Sequence, residues 1–473
     1  MEASLPVPSP TLSHWHRTTR SFPHLNENHL TDVPSSTTYL IIGSGISGAL
    51  TAWELINNGV KGEDVLILEA REAVSGATGR NAGHIRPGLS LRLSLYCISN
   101  SLIIDAFPGF ARFSAIHGPD QAKSIIESEK MVLQKVKDFV ESNGVDCDFN
   151  YTTTLEVCLD KAYANHLEKT LAEFGHAGGD ISHIKFHKGE EAKTKTRVSD
   201  AICAYEWAAA SNHPGKLCHW ILTDVIRKGG KLWTNCPATK ILKHQGHDNL
   251  RWDIHTPRGF IAAETVVHCT NAYAAFLLPE LVGVVTPRRA QGHSYVPPLS
   301  LSGANTIKST MALRYGLKHF FSVNQLKDGT VILGGVATRS DLDWTPTLLK
   351  DRISFDDTAH NPHMKENSIA EFSKLAFKVP QTAARSGEGF SHVWTGIVGE
   401  TPDAVPLVGS IPGLEGQWIC AGFNGHGMAR IFLCAPGIVK LMSGKSWNTT
   451  SLPECFRFSS ERLNQFAKLK TKV

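Results

Sequence analysis

The chain has 473 residues, of which 42% are hydrophobic and 19% charged, a composition typical of a globular protein with one two-lobed unit or about two to three ordinary domains. The net charge of +4 is small for this length and the lysines and arginines are scattered, which argues against a nucleic-acid-binding protein. No apolar run reaches the roughly 18 residues that span a bilayer, which argues against a membrane-spanning protein.

Residues 1–36 form a segment rich in proline, serine and histidine, without the apolar core of a secretory signal. We predict an N-terminal arm that lies extended on a domain or is partly disordered, and a cytoplasmic location. The ten cysteines include no C-x-x-C pair, so they are predicted to be reduced and mostly buried. His14 and His16 form an H-x-H pair with no third ligand nearby in the sequence, and no metal site is predicted.

A glycine motif follows the first apolar strand, which is predicted at 39–42. The strand runs into Gly43-x-Gly45-x-x-Gly48, and apolar residues at helical spacing come next. Gly43 permits a tight turn, Gly45 lets a pyrophosphate approach the backbone, and Gly48 lets the helix lie close on the strand. The N–H groups and the dipole at the start of that helix favour an anion.

A second apolar strand, predicted at 65–68, ends at Glu69, about 20 residues beyond the glycine motif. A carboxylate at this place accepts hydrogen bonds from an adenosine ribose, and the absence of an arginine there argues against NADP. The order of strand, glycine turn, helix, strand and acid predicts a dinucleotide-binding fold. An unrelated glycine-rich turn is the alternative.

The glycine-rich stretch 75–88, "SGATGRNAGHIRPG", stands where an NAD-binding domain would continue into regular strand–helix repeats. Such a loop suits a longer ligand, because the pyrophosphate and flavin of FAD need further backbone contacts. Two later stretches support FAD. Residues 266–274 are predicted to form a buried strand followed by small residues. Residues 416–442 are predicted to form a strand, a glycine turn and an apolar helix. The dipole of that helix could face a flavin carbonyl.

Six motifs occur in order over nearly the whole chain: YLIIGSGISGALTAWEL, LEAREAVSGATGRNAGHIRP, CTNAYAAFLLPELVGVVTPRRAQG, DGTVILGG, VWTGIVGETPDAVPLVG and AGFNGHGM. On these motifs the sequence resembles FAD-dependent oxidoreductases of the D-amino-acid oxidase superfamily. Within it, the sequence is similar to the branch of sarcosine oxidase, glycine oxidase and gamma-glutamylputrescine oxidase, and most of all to fungal FAD-dependent oxidoreductases with a comparable N-terminal arm. The motifs are specific for the superfamily and poorly specific for the substrate.

The resemblance implies an α/β fold with a Rossmann-like FAD-binding lobe of the glutathione-reductase type and a second, α+β substrate lobe on a mixed or antiparallel sheet. The expected segments are 37–95, 200–290 and 385–445 for the FAD lobe, 96–199 and 291–384 for the substrate lobe, and 446–473 for a C-terminal tail. The polar stretch 340–367 is expected to form part of a lid or rim.

The resemblance also implies a set of cofactor-binding residues. Glu69 would hold the ribose, the stretch from Ser75 to Ala82 would follow the pyrophosphate and ribityl chain, and the stretch from Gly425 to Met428 would meet the flavin carbonyl edge. The full set is Gly43, Ser44, Gly45, Ile46, Gly48, Glu69, Ala70, Arg71, Ser75, Gly76, Ala77, Thr78, Arg80, Asn81, Ala82, Ala238, Thr270, Asn271, Ala272, Gly425, His426, Gly427 and Met428.

Two histidines are candidates for a role at the flavin. His84 falls where the glycine-rich loop should arrive beside the ring, and it could polarise the ring, contact the substrate amine or carry a covalent bond; the alternative is a histidine bonded to nearby backbone. His392 stands near the place of the cysteine that tethers FAD in sarcosine oxidases. Because the sequence departs from that pattern, non-covalent FAD is favoured.

Trp394 and Arg289 complete the candidate catalytic set. Trp394 could form a wall beside the ring or simply pack in the core. Arg289 could pair with a substrate carboxylate, or form a structural salt bridge where the two lobes join. Arg86 and Arg314 are further candidates for the carboxylate.

We predict an FAD-dependent oxidoreductase that oxidises the C–N bond of an amine or amino acid to an imine by hydride transfer to flavin N5, with O2 as acceptor giving H2O2. The expected partners are a small-molecule amine or amino acid and O2, with no nucleic acid and no membrane. A dehydrogenase with another electron acceptor, a flavin enzyme of a specialised-metabolite pathway, and a flavin monooxygenase are the alternatives. A non-catalytic FAD-binding protein is disfavoured by the intact glycine loops.

Overall fold

Two β-sheets organise the chain, in a computed structural model that describes residues 2–87, 109–246, 249–316, 319–336, 351–375 and 385–470. The predicted lobe boundary at 95/96 and the part of the predicted rim at 340–350 lie outside the described residues. The strands are β1 (Ser36–Ile42), β2 (Val65–Leu68), β3 (His84–Ile85), β4 (Asn150–Cys158), β5 (Lys185–Lys188), β6 (Cys203–Ser211), β7 (Lys231–Trp233), β8 (Lys240–Lys243), β9 (Trp252–Thr256), β10 (Gly259–His268), β11 (Thr286–Val296), β12 (Thr310–Arg314), β13 (Phe320–Gln325), β14 (Val331–Val336), β15 (Gly389–Glu400), β16 (Leu407–Ser410) and β17 (Gln417–Ala421).

Helices cover both sheets and connect their strands. They are α1 (His14–Arg17), α2 (Ile46–Asn57), α3 (Phe110–His117), α4 (Pro119–Asn143), α5 (Lys161–His176), α6 (Glu190–Thr196), α7 (Pro214–Arg227), α8 (Ala274–Leu277), α9 (Pro362–Leu375), α10 (Ile431–Met442) and α11 (Ser460–Lys470). None of the helices in the described part of the chain has the length and apolar character of a membrane span.

The first sheet has the order β16-β17-β10-β1-β2-β7, with β9 and then β8 beside β10. β1 lies parallel to both β2 and β10, as the predicted strand–helix–strand unit requires. Alternation along β1 places Ile41 in the core under α2, α7 and α10, while Leu40 and Ile42 face the opposite side of the sheet. The predicted Rossmann-like lobe is confirmed.

The second sheet has the order β15-β11-β14-β13-β12-β4-β6-β3, with β5 beside β6. β4 and β12 are parallel, and the other neighbouring strands are antiparallel, so the predicted mixed sheet is confirmed. One face of this sheet packs on α9, where the Tyr295 and Phe372 rings stack 4.1 Å apart. The opposite face looks toward the first sheet.

The membership of three strands differs from the expected segments. β3, β6 and β15 fall within the stretches 37–95, 200–290 and 385–445 expected for the FAD lobe, yet all three pair within the second sheet. An apolar strand has the same local sequence pattern whichever sheet it joins, because the pattern reports burial and not the pairing partner. The segment boundaries themselves stay a prediction.

The N-terminal arm is packed against the body of the protein. Trp15 in the short helix α1 is fully buried, and its indole N–H donates to the carbonyl of Asn81 at 2.7 Å. Ser13, also fully buried, caps α1 by accepting from the backbone N–H of His16 at 3.1 Å. The arm therefore contains an ordered helical turn that contacts the glycine-rich loop.

Candidate cofactor and active site

A cavity opens where the glycine motif after β1 meets the start of α2. The space around it, with the open solvent at its mouth included, is about 1430 Å³. Most of the predicted cofactor residues line it. They are Gly43, Gly45, Ile46, Glu69, Ala70, Arg71, Gly76, Ala77, Thr78, Arg80, Asn81, Ala238, Thr270, Asn271, Ala272, Gly425, Gly427 and Met428.

The local geometry explains why each of the three positions of the glycine motif is a glycine. Gly43 has φ +110°, a conformation that other residues rarely adopt. A Cβ on Gly48 would lie 1.9 Å from the carbonyl oxygen of Gly43, so only glycine lets α2 pack this close to the turn. A Cβ on Gly45 would lie 3.1 Å from the hydroxyl of Thr78, on the cavity side. The structure thus gives the turn and the close helix packing that the motif predicts.

Glu69 stands at the end of β2, in the cavity wall. Its Oε2 accepts from the backbone N–H of Ser44 at 3.0 Å and from the Ser44 hydroxyl at 2.7 Å, and its Oε1 accepts from the N–H of Arg71 at 3.0 Å. Three donors fix the orientation of the carboxylate, which has acceptor capacity left for ligand hydroxyls. Ser44 itself lies behind Glu69, outside the wall.

Two buried arginines share one aspartate beside the cavity. Arg71 Nη1 lies 3.0 Å from Asp357 Oδ1, and Arg80 Nε lies 3.5 Å from Asp357 Oδ2. Burial lowers the pKa of Arg80 to about 10, an effect that Asp357 partly offsets, so the guanidinium stays charged at neutral pH. The two guanidinium groups place charged donors beside the cavity, and such donors favour an anionic ligand such as a pyrophosphate.

Four buried polar atoms of the cavity wall have no hydrogen-bond partner among the described residues. They are Arg71 Nε, Arg80 Nη2, Thr270 Oγ1 and the hydroxyl of Tyr273. A buried polar group left without a partner costs about 1–3 kcal/mol, so this wall is suited to a ligand rich in phosphate and hydroxyl oxygens. Burial raises the pKa of Tyr273, which keeps its hydroxyl protonated and able to donate.

The N-terminal arm contributes to the same cavity through residues that the sequence did not indicate. Leu5 and Pro6 lie in the wall. Thr11 accepts from Arg80 Nη1 through its carbonyl at 2.6 Å, and its backbone N–H donates to the Asp357 carbonyl at 2.9 Å. The arm therefore closes one side of the cavity and holds Arg80 and Asp357 in place.

The glycine turn before α10 supplies Gly425, Gly427 and Met428 to the wall, as expected. His426 is placed differently from the other predicted residues of this turn: its ring lies outside the wall, with Nδ1 3.5 Å from Glu129 Oε1 on α4. The prediction rested on its place in the motif, but successive residues of a tight turn point in different directions. Glu129 also pairs with Arg430 at 2.9 Å, and this charged group lies away from the cavity.

Three further predicted residues also lie behind the wall. Gly48 packs against the turn, the Ser75 carbonyl accepts from Arg71 and Arg80, and the Ala82 carbonyl accepts from Asn324 Nδ2 at 3.1 Å. Ser75 and Ala82 shape the loop and Gly48 sets the packing of α2 on the turn, so none of the three faces the cavity.

His84 lies on β3, which runs beside the Gly427–Ala429 turn of the cavity wall. Both ring nitrogens are buried and have no hydrogen-bond partner among the described residues, although part of the side chain keeps some exposed surface. Burial, reinforced by the charge of Arg86, lowers the pKa of His84 to about 3, so the ring is neutral at physiological pH. The hydrogen bond from the His84 ring to nearby backbone, which was the alternative from the sequence, is therefore not seen among the described residues.

The other three catalytic candidates are placed away from the cavity wall. His392 donates from Nε2 to the Leu12 carbonyl at 2.5 Å. Trp394 is 1% exposed, donates to the Arg80 carbonyl at 2.9 Å and so packs behind the loop. Arg289 pairs with Asp351 at 2.5 Å.

A second buried cluster lies next to His84. Arg86 Nη2 lies 2.8 Å from Glu156 Oε2, and Arg314 Nε donates to Oε1 of the same carboxylate at 2.5 Å. Tyr163 also donates its hydroxyl to Glu156, which is fully buried. Glu156 and Tyr163 were not predicted, since they come from β4 and α5 and carry no local motif.

The charges of this cluster do not balance. Burial lowers the pKa of Arg86 to about 10; burial also lowers the pKa of Arg314, but Glu156 more than offsets this and raises it overall. Both guanidinium groups are therefore charged at neutral pH, against one carboxylate. Arg86 Nε has no hydrogen-bond partner among the described residues.

Comparison with known proteins matches residues 38–441 to the family model DAO, FAD dependent oxidoreductase. The chain is 23% identical over 423 residues to the probable oxidoreductase OrdL of Rhizobium meliloti (strain 1021), which covers 86% of this chain and 83% of that protein. It is 20% identical over 408 residues to mitochondrial dimethylglycine dehydrogenase of Homo sapiens, covering 85% of this chain but 42% of that protein. The fold is similar to glycine oxidase from Geobacillus kaustophilus, with a TM-score of 0.68, 18% identity, and 90% and 99% of the two chains covered.

Proposed function

The chain belongs to the DAO family of FAD-dependent oxidoreductases, and on that premise we propose that it oxidises the C–N bond of an amine that carries a carboxylate, giving an imine. FAD is the cofactor, and when bound it supplies the acceptor for a hydride from the substrate. The observation that carries the proposal is the unbalanced buried charge of Arg86, Glu156 and Arg314 beside His84.

The residues of the cavity wall fit FAD. The Glu69 carboxylate would hold the ribose, and the N-terminus of α2 and the guanidinium of Arg80 would face the phosphates. The partnerless polar atoms of Thr270 and Tyr273 would be satisfied by ligand oxygens. Neither His84 nor His392 lines the wall, which supports non-covalent FAD; acid precipitation should leave the flavin in the supernatant.

A carboxylate is the group that best completes the second cluster. Two buried guanidinium groups can share two carboxylates through charge-assisted hydrogen bonds, one from Glu156 and one from the substrate. The partnerless Nε of Arg86 offers a donor for the second carboxylate. Two similar proteins, a glycine oxidase and a dimethylglycine dehydrogenase, are named after amino acids. These names support the same class of substrate, an amine that carries a carboxylate.

His84 supplies a neutral polar group beside this cluster. A neutral imidazole can accept a hydrogen bond from the substrate amine without repelling it, and the amine must be neutral to lose a hydride from its α-carbon. We place His84 against the substrate nitrogen, with Arg86, two residues further along the chain, against the carboxylate. The short spacing of these two residues along the chain suits the small separation of the amine and the carboxylate in an amino acid.

We propose O2 as the electron acceptor, with H2O2 as product. The similar proteins include an oxidase and a dehydrogenase by name, so transfer to another acceptor is the alternative. An oxygen electrode with a peroxide assay separates them. An oxidase consumes O2 and forms H2O2 with substrate alone, whereas a dehydrogenase turns over only with an added electron acceptor.

The substrate class is tested by Arg86→Ala. Loss of a charge-assisted hydrogen bond costs about 1.5–3 kcal/mol, so we expect KM for a carboxylated amine to rise about 10- to 100-fold. KM for an amine without a carboxylate should change little. Arg251→Ala is the matched control, since Arg251 is an exposed arginine paired with the exposed Glu415. An equal loss of activity on both amines would contradict a carboxylate-binding role.

A further inference from the structure

Two cysteines lie opposite each other on neighbouring strands of the second sheet. β4 and β6 are antiparallel, and their register places Cys158 directly opposite Cys203. Both are free. Directly opposed residues of antiparallel strands have Cα atoms about 4.5–5.5 Å apart, which lies within the range of roughly 4.4–6.8 Å that a disulfide requires.

The two thiols are unequal. Both belong to a buried cluster under α5 with Tyr163, and Cys203 keeps 5% exposure while Cys158 has none. The neighbouring Cys158 thiol lowers the pKa of Cys203, and the same pairing, together with burial, raises the pKa of Cys158. Cys203 is thus the thiol that deprotonates first and that an oxidant reaches first, and Cys158 stands ready to react with the product.

We propose that Cys158 and Cys203 form a peroxide-sensitive dithiol that closes reversibly to a disulfide. The Cys203 sulfur attacks one oxygen of H2O2, the O–O bond breaks, and a sulfenic acid and one water result. The Cys158 thiol then attacks that sulfur, the S–O bond breaks, and a second water leaves. The two thiols lose two electrons and two protons, and one H2O2 is reduced to two H2O. That the enzyme itself produces this peroxide rests on the proposed oxidase function.

The disulfide would act on the carboxylate-binding cluster. Cys158 lies two residues beyond Glu156 on β4, and on the other side of β4 its register partner is Arg314 on β12. Closing the bond draws the ends of β4 and β6 together, because the two Cβ atoms of a disulfide lie about 3.8 Å apart. The positions of Glu156 and Arg314 shift with β4, and we expect a higher KM for the carboxylated amine in the oxidised protein.

Peptide mapping tests the bond itself. The full-length FAD-loaded protein is reduced, freed of reductant, treated with added H2O2, alkylated and digested without reduction. We expect the peptides of Cys158 and Cys203 to be linked, and the thiol count of the denatured protein to fall from its ten cysteines to eight. Because the peroxide is added, this readout does not depend on the proposed enzyme activity.

Three variants complete the experiment. Cys158→Ala and Cys203→Ala should each abolish the linked peptide, while Cys455→Ala, which removes a partly exposed cysteine elsewhere, should keep it. Retained FAD shows that the variants are folded. A reductant should return the KM of the oxidised wild-type protein to its starting value. Oxidation without a link between these two peptides, or a link that leaves KM unchanged, would overturn the proposal.

Discussion

Glu69 shows how a single side chain is prepared for a ligand before the ligand arrives. Ser44 and Arg71 donate three hydrogen bonds to its carboxylate, so the side chain is held at the cavity wall in one orientation. Arg80 is prepared in the same way by the carbonyls of Ser75 and Thr395, at 2.7 and 2.8 Å. Such fixed groups bind tightly, because little side-chain entropy remains to be lost.

We expect Glu69→Gln to lower the affinity for FAD about 10- to 100-fold. The amide keeps the shape of the side chain but loses the charge that strengthens hydrogen bonds from ligand hydroxyls and from Ser44. Flavin fluorescence during titration of the apoprotein gives the dissociation constant. Glu415→Gln, at a position that is 87% exposed, is the control. Unchanged FAD affinity in Glu69→Gln would rule out a cofactor contact at this carboxylate.

At the scale of elements, the N-terminal arm is the unexpected part of the site. It lies outside the residues that match the family model, yet Leu5 and Pro6 form part of the cavity wall. Thr11 bonds to both Arg80 and Asp357, and the buried Trp15 anchors the arm on the glycine-rich loop. The arm therefore forms part of the surface to which we propose that FAD binds.

Removal of residues 2–12 should weaken FAD binding and expose the flavin to solvent. The truncation opens one wall of the cavity and leaves Arg80 and Asp357 without Thr11. We expect faster FAD dissociation, measured by the recovery of free-flavin fluorescence after dilution. Leu30→Ala, in the same arm but 84% exposed, should have no effect. FAD release at the wild-type rate from the truncated protein would show that the arm is not part of the site.

Acid should loosen the arm. Burial lowers the pKa of His16 and of His213 to about 3, and each ring uses Nδ1 as an acceptor, His16 from the N–H of Ser13 and His213 from the N–H of Lys216. The unfolded chain binds these protons near pH 6.5 and the folded chain near pH 3, so stability present above pH 6.5 is lost as the pH falls toward 3.

The free energy of unfolding, from denaturant titrations at several pH values, should fall in this window. Limited proteolysis should cut the arm faster at pH 4.5 than at pH 7.5. His213→Gln keeps a side-chain acceptor for the Lys216 N–H and removes one titrating group, so it should flatten the pH dependence. A pH profile identical to that of the wild-type protein would contradict the role of this histidine.

For the whole molecule, features set by local sequence could be predicted, whereas contacts between residues distant in sequence could not. The turn around Gly43 and the end of β2 at Glu69 follow from neighbours in sequence, so the strand–helix–strand unit at the centre of the first sheet could be predicted; most other residues of the cavity wall were named from the family resemblance. Asp357 bonds to Arg71 across 286 residues, and Glu156 bonds to Arg314 across 158. Such partners carry no local signal, because only the pairing of distant strands brings them together.

Two clusters of buried charge each include a residue of the glycine-rich loop, Arg80 in the first and Arg86 in the second. Arg80 and Arg71 meet Asp357 at the candidate cofactor cavity, and Arg86 and Arg314 meet Glu156 beyond His84. The second cluster has two guanidinium groups against one carboxylate, which suits a substrate carboxylate. Under the proposed function, the loop would connect cofactor binding to the choice of substrate.

The most direct test of this account is to mix the FAD-loaded protein, without oxygen, with a panel of amino acids and with the matching amines that lack the carboxylate. The flavin absorption band should be bleached by at least one carboxylated amine, far more slowly by its decarboxylated partner, and should return when air is admitted. Bleaching at equal rates by both members of each pair, or no bleaching by any carboxylated amine, would contradict the proposed function.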